Sequence, residues 1–277
     1  MKIHAIQTGS VKIHQAQQKG QGHGTRRLLN MLFDRSWTDP QPIYAWAIEH
    51  PEGIIVVDTG ETARSTQPGY FPRWHPYYLL AVRFYVQPEE EIGPQLAKLG
   101  ILATDVRMVI MTHLHTDHAG GLRYFPKSEV FVARGELERA RGFKGRLNGY
   151  PSNRWPAWFN PTLINMKEEP LGPFAESLKV TRTGDVIIVP TPGHTPAHVS
   201  VVVQDGSDTT FLAGDASYSQ SLMLSQQVDG VSPDEEVAKE TLHKVRDFVL
   251  QQPTVYLPAH DLDSRRRLEN KEVVKET

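Results

Sequence analysis

Met108-Val109-Ile110-Met111-Thr112-His113-Leu114-His115-Thr116-Asp117-His118 is the stretch on which the reading of this chain turns. Its first four residues are apolar, and a short run of this kind bounded by polar residues reads as a buried strand. The next seven place four ligand-type side chains within six positions. In extended backbone, residues two apart share a face, so His113 and His115 can grip one ion. Asp117 and His118, past the bend, can reach a second ion nearby, and Gly120-Gly121 then permits a tight turn. A buried cluster of neutral imidazoles without an ion would leave several acceptors unsatisfied.

The same phrase, an apolar run followed by a polar cluster, recurs along the chain. Ile54 to Val57 leads into Asp58-Thr59-Gly60, and Val186 to Val189 into Pro192-Gly193-His194. Phe211-Leu212-Ala213 leads into Gly214-Asp215, and Val255-Tyr256-Leu257 into Pro258-Ala259-His260. Each run delivers a candidate ligand at its C-terminal end, which predicts a sheet edge where ligands converge. His194, Asp215 and His260 then complete two coordination shells, with the Asp215 carboxylate able to bridge two cations. Asp58 is expected to orient a ligand imidazole or the loop backbone. His198 is expected either to do the same or to hydrogen-bond within its strand. The remaining histidines, His4, His14, His23, His50, His75 and His243, read as surface residues.

Hairpins are expected over 43–58, turning at Pro51-Glu52-Gly53, and over 198–215, turning at Asp205-Gly206-Ser207. Helices are expected over 89–99, 134–141 and 233–251, the last with Ser232 as N-cap and Pro233 at its first position. Strands and helices alternate, so a layered α/β sandwich forming one domain over 1–277 is the expectation. Two aromatic stretches, 70–85 and 143–174, could roof a ligand pocket, form the face of a homodimer, or pack on the sheet.

Composition narrows the chemistry. The chain has 277 residues, 12 histidines and no cysteine, which removes thiolate ligands, cysteine nucleophiles and CxxC redox chemistry. Histidine and carboxylate shells suit zinc, iron, manganese or cobalt. A net charge of −2 without a basic stripe argues against a nucleic-acid partner. Arg265-Arg266-Arg267 reads as a solvated helix end. No apolar stretch approaches the ~18–20 residues of a membrane span. Met1-Lys2-Ile3-His4 lacks the apolar core of a signal peptide, so a cytoplasmic protein without a membrane partner is expected.

On these residues the sequence resembles the metallo-β-lactamase-fold hydrolases, which carry an HxHxDH motif with a later His, Asp and His. The resemblance implies a four-layer αβ/βα sandwich. It assigns His113, His115 and His194 to one metal and Asp117, His118 and His260 to the other, with Asp215 bridging them alongside a water or hydroxide. Two divalent ions, zinc first, are implied as cofactors. Asp215-Ala216-Ser217-Tyr218, together with Pro192-Gly193-His194-Thr195-Pro196-Ala197-His198 and Ala259-His260-Asp261, is similar to the N-acyl-homoserine-lactone lactonases. Those enzymes often read GHxPGH, where this chain has Ala197. That similarity implies a small-molecule lactone substrate attacked by the bridging hydroxide. Tyr218 would contact substrate and stabilise the oxyanion, and Asp117 would carry the proton to the leaving group. The alternative is another hydrolase of the same fold, acting on a different lactone, a glyoxalase II-type thioester, or an aryl or phosphoester. A cysteine-using β-lactamase is excluded, and His115 stands where a flavodiiron branch carries Glu.

Overall fold

Strands whose residues are apolar at consecutive positions must be covered on both faces, and this requirement sets the architecture. The computed structural model describes residues 1–275. Seven strands form one sheet: β1 (Lys2–Ile13), β2 (Gln41–His50), β3 (Gly53–Val57), β4 (Val82–Tyr85), β5 (Val106–Ile110), β6 (Glu129–Ala133) and β7 (Thr162–Ile164), in the order β4-β1-β2-β3-β5-β6-β7. Five form the other: β8 (Leu178–Lys179), β9 (Val186–Pro190), β10 (Val199–Asp205), β11 (Asp208–Gly214) and β12 (Thr254–Pro258), in the order β12-β11-β10-β9-β8. Both expected hairpins are present, as β2–β3 and β10–β11.

Alternate residues of each strand face opposite layers. Trp46, Ile55 and Ile110 meet Ile188, Val201 and Leu257 in the apolar interior between the sheets. Val56 and Val109 point the other way, onto Ile92 and Leu96 of the Ile92–Lys98 helix. Val202 and Phe211 face Leu242, Val245 and Phe248 of the Glu235–Gln251 helix. The result is the four-layer αβ/βα sandwich.

Several local expectations need correction. The last long helix is capped by Asp234, whose Oδ1 accepts from the Glu236 and Val237 N–H groups at 3.1 Å each. Ser232 cannot take that role because its own N–H closes a turn onto Asp229 Oδ1 at 2.7 Å. The 89–99 helix is broken at Glu91, extended at φ −62°, ψ 155°, into a 3₁₀ turn (Pro88–Glu90) and the Ile92–Lys98 helix. The helix expected over 134–141 ends at Arg139, and a second short helix, Gly142–Leu147, follows. Thus 143–174 and 70–85 are not plain loops: the first holds most of that helix and β7, the second the Pro76–Leu80 helix and β4. In the arginine run, Arg267 is buried and paired with Asp261 at 2.6 Å. His14, His50 and His75 are buried rather than on the surface.

The C-terminal ends of β3, β5, β9, β11 and β12 open onto one edge of the sandwich, as the repeated phrase predicts. Two backbone bonds clasp the sheets there: Val199 N–H to Thr112 C=O and Tyr44 N–H to Ala259 C=O, both 3.0 Å.

Candidate metal centre

Three groups at this edge could hold a metal ion: His113, His115 and His194; His113, His118 and Asp215; and Asp117, His118 and His260. Within each group the donor atoms lie within 4.8 Å of one another. All seven candidate ligands from the sequence are therefore brought together. The first and third groups coincide with the two shells that the resemblance implies. Asp215 lies between them, its Oδ2 3.4 Å from His194 Nε2 and its Oδ1 3.3 and 3.4 Å from His118 and His260 Nε2.

The outer hydrogen bonds fix which nitrogen of each ring is bare. His118 Nδ1–H donates to Asp58 Oδ2 at 2.8 Å, His260 Nδ1–H to Pro42 C=O at 2.9 Å, and His194 Nδ1–H to Asp229 Oδ2 at 3.0 Å. Thr112 gives its hydroxyl proton to Asp58 Oδ2, so it can only accept from His113 Nδ1–H at 3.1 Å. His115 is turned the other way, its Nε2–H donating to Asn148 C=O at 3.1 Å. Each ring thus spends its proton outward and aims a lone pair inward. His115 Nδ1 and His194 Nε2, both bare, face each other at 3.1 Å. His113 Nε2, His118 Nε2 and Asp215 Oδ1 are buried without a hydrogen-bond partner. Converging buried lone pairs with no donor among them fit cations, and imidazole with carboxylate suits a borderline divalent metal.

The titration of the site follows from burial. Burial drops His113 and His115 well below the usual imidazole range, reinforced by neighbouring rings. Burial works against positive charge at His118 too, but the Asp215 and Asp58 carboxylates outweigh it and raise its pKa well above the usual range; the same pull for positive charge would be met by a cation taking the inward Nε2 lone pair in place of a proton. For Asp215, burial is outweighed by His260, His118 and His194, which keep it ionised well below the usual range.

Asp58 takes the expected supporting role: it accepts from Thr112 N–H and Oγ1 as well as from His118. His198 supports rather than ligates. Its Nε2 accepts from the Asp215 N–H at 3.1 Å, so Nδ1 carries the proton and gives it to Thr191 Oγ1. Burial, and then His194, push it down to about 3, so it stays neutral.

Beside these side chains lies a cavity of about 240 Å³, lined by His115, Asp117, His194, Asp215 and Tyr218 together with apolar Met31, Leu32 and Phe84. Tyr218 is buried, its ring stacked 5.7 Å from that of His260. Burial, then Asp215, raise its hydroxyl well above the usual phenol value. Phe33, two positions after the lining Met31, is exposed and takes no part in the cavity wall. Sequence reasoning missed Gln17, whose Nε2 donates to both Tyr218 and Tyr77 hydroxyls at 2.9 and 3.0 Å. It also missed Asp229 and Asn148, which orient His194 and His115. The partners of Gln17 and Asn148 lie too far along the chain for spacing to reveal them; Asp229, an acid in a Gly-containing turn, carried a faint signal.

The metallo-beta-lactamase superfamily model matches residues 38–260. The chain belongs to this superfamily. An N-acyl homoserine lactonase from a Bacillus species is 26% identical over 234 residues, 81% of this chain and 83% of that protein. A probable metallo-hydrolase of Mycobacterium tuberculosis is 31% identical over 179 residues, 62% of this chain and 55% of its own length. Among solved structures, an N-acyl homoserine lactone hydrolase with N-hexanoyl-L-homoserine at its catalytic metal center superposes with a TM-score of 0.75, at 21% identity, covering 96% of this chain and 95% of that one. A dizinc quorum-quenching lactonase superposes at 0.65, with 14% identity, covering 94% and 87%. These likenesses support the fold, and the chain is a metallo-hydrolase related to lactonases.

Proposed function

We propose that this chain opens the lactone ring of N-acyl homoserine lactones by hydrolysis at a two-metal centre. His113, His115 and His194 would hold one divalent ion, and Asp117, His118 and His260 the other, with Asp215 between them. Zinc is the first expectation, with iron, manganese or cobalt compatible. When bound, such ions supply water ionised near neutral pH and a charge that polarises the carbonyl.

The observation that carries the lactone reading is the Tyr218 hydroxyl, set beside Asp117 and Asp215 in a largely apolar cavity. As Tyr218 accepts from Gln17, its own proton is free to point at the carbonyl oxygen where negative charge develops. Its raised pKa keeps that proton in place. Asp117 takes a proton from the attacking water and returns it to the ring oxygen as the C–O bond breaks, giving the hydroxy acid. The apolar lining receives the acyl chain.

Turnover on acyl homoserine lactones, other lactones, S-acyl glutathione, aryl esters and phosphoesters tests this directly. The expected preference is for the first. Tyr218→Phe should lower kcat by about 10²-fold with a small change in KM. An unchanged kcat would remove the oxyanion role, and a preference for the thioester would move the chain to the glyoxalase II-type alternative.

A further inference from the structure

Against the ligand loop, sharing Thr116 with the active-site cavity, lies a smaller pocket of about 200 Å³. Three guanidinium groups line it, from Arg64, Arg123 and Arg154. No carboxylate does. Two buried acids stand behind the lining residues: Glu91 is saturated by Arg123, Tyr124 Oη, Thr62 Oγ1 and Ala63 N–H, and Glu61 accepts from Thr116 Oγ1 and Thr62 N–H. Arg154 is held in place by its bond to Tyr70 C=O at 3.0 Å and by lying over the Tyr70 ring at 5.0 Å. Arg64 is exposed, and its guanidinium has no such anchor among the described residues. Trp155 also lines this pocket, and its indole Nε1–H is buried with no acceptor.

A buried donor without an acceptor marks a missing partner. Here it stands among cations, so the missing partner is an anion. Guanidinium forks match oxyanions in pairs of parallel hydrogen bonds. Donors are carried by three separate segments, at Arg64, at Arg123 and at the adjacent Arg154 and Trp155, and a tetrahedral group offers acceptors in several directions, where a carboxylate offers them at one end only.

We propose that this pocket binds a phosphate-sized oxyanion, either the free ion or the phosphoryl group of a small metabolite. Thr116 forms the common wall. Its side chain lines the pocket and donates to Glu61 Oε2 at 2.7 Å, while its backbone joins His115 to Asp117. An anion held here therefore bears on the loop that carries four of the candidate ligands. The proposal stands whatever the neighbouring site hydrolyses, because binding is read without turnover.

The test is a titration of metal-loaded, ¹⁵N-labelled protein with inorganic phosphate and, separately, glycerol phosphate, against chloride at matched ionic strength. The chain has five tryptophans, and Trp155→Phe assigns the Trp155 indole signal by removing it while keeping an aromatic ring. That signal is expected to move saturably with phosphate and not with chloride. Arg64→Ala, a change at an exposed side chain, should weaken binding about tenfold or more. Tighter binding of glycerol phosphate assigns the metabolite form, and equal or tighter binding of phosphate assigns the free ion. A Trp155 signal that stays still, moves equally in chloride, or titrates identically in Arg64→Ala overturns the proposal. Phosphate captured by the metals alone leaves Trp155 still, and so counts against it.

Discussion

Asp58 shows what one residue contributes to this site. It sits at φ +58° where β3 ends, a region that costs a non-glycine residue roughly 1–2 kcal/mol. Three hydrogen bonds hold it there, and one of them fixes the His118 tautomer. Asp58→Asn keeps the shape but replaces an acceptor oxygen by a donor facing other donors. Affinity for the metal should fall about 10–100-fold, measured by competition with a chromogenic chelator. An unaltered affinity would dismiss the orienting role. That an acid at this strand end supports an imidazole was legible in the sequence; which imidazole was not, since 60 positions separate the partners. Glu61 yields a pH prediction. Burial, opposed by the Thr62 N–H, pushes its carboxyl from 4.5 to about 8. A raised acid contributes stability that is complete below its unfolded value and lost as pH climbs to the folded one. The thermal midpoint should therefore decline between pH 4.5 and 8, and Glu61→Gln should flatten that slope. Parallel profiles for the two proteins would show that Glu61 titrates normally.

At the scale of elements, the turn leaving β11 decides where Asp215 points. Gly214 has φ +55°, and a Cβ there would lie 2.8 Å from both His198 Nε2 and Thr112 Cβ. Gly206, in the β10–β11 hairpin turn, has φ +63° and open space around it. Alanine at Gly206 pays only for the dihedral, about 1 kcal/mol, whereas alanine at Gly214 adds the collision, for roughly 2–4 kcal/mol in total. Urea unfolding of the two variants separates the contributions, and equal losses would mean that His198 gives way freely. Strands were legible because apolar runs ending in polar residues are a local signal. The break at Glu91 was not, because its cause is tertiary: its carboxylate is claimed by Thr62, Ala63, Arg123 and Tyr124. Pairing of β4 with β1 was equally hidden, since it depends on Ser10 to Ile13 continuing past the irregularity at Gly9 to meet Val82 to Tyr85.

For the whole molecule, the candidate ligands divide between the sheets. His113, His115, Asp117 and His118 follow β5 of the larger sheet, whereas His194, Asp215 and His260 follow β9, β11 and β12 of the smaller one. The sequence could show that both sheets are covered on both faces, but not that their ligand-bearing ends coincide, because only packing of the Trp46–Ile188–Leu257 interior sets that register. An ion held by His113, His115 and His194 thus binds the assembled sandwich and has no equivalent site in the unfolded chain. Binding to the folded state alone stabilises by RT ln(1 + [M]/Kd), about 4 kcal/mol at a thousandfold excess over Kd. Two such ions, at about 2–4 °C per kcal/mol for a domain of this size, should lift the thermal midpoint by more than about 10 °C over the chelated protein. Differential scanning calorimetry before chelation, after it, and after refilling checks this, with recovery on refilling separating ion loss from damage. If the chelated protein melts where the loaded one does, the seven side chains do not hold ions across the two sheets, and the two-metal reading falls with them.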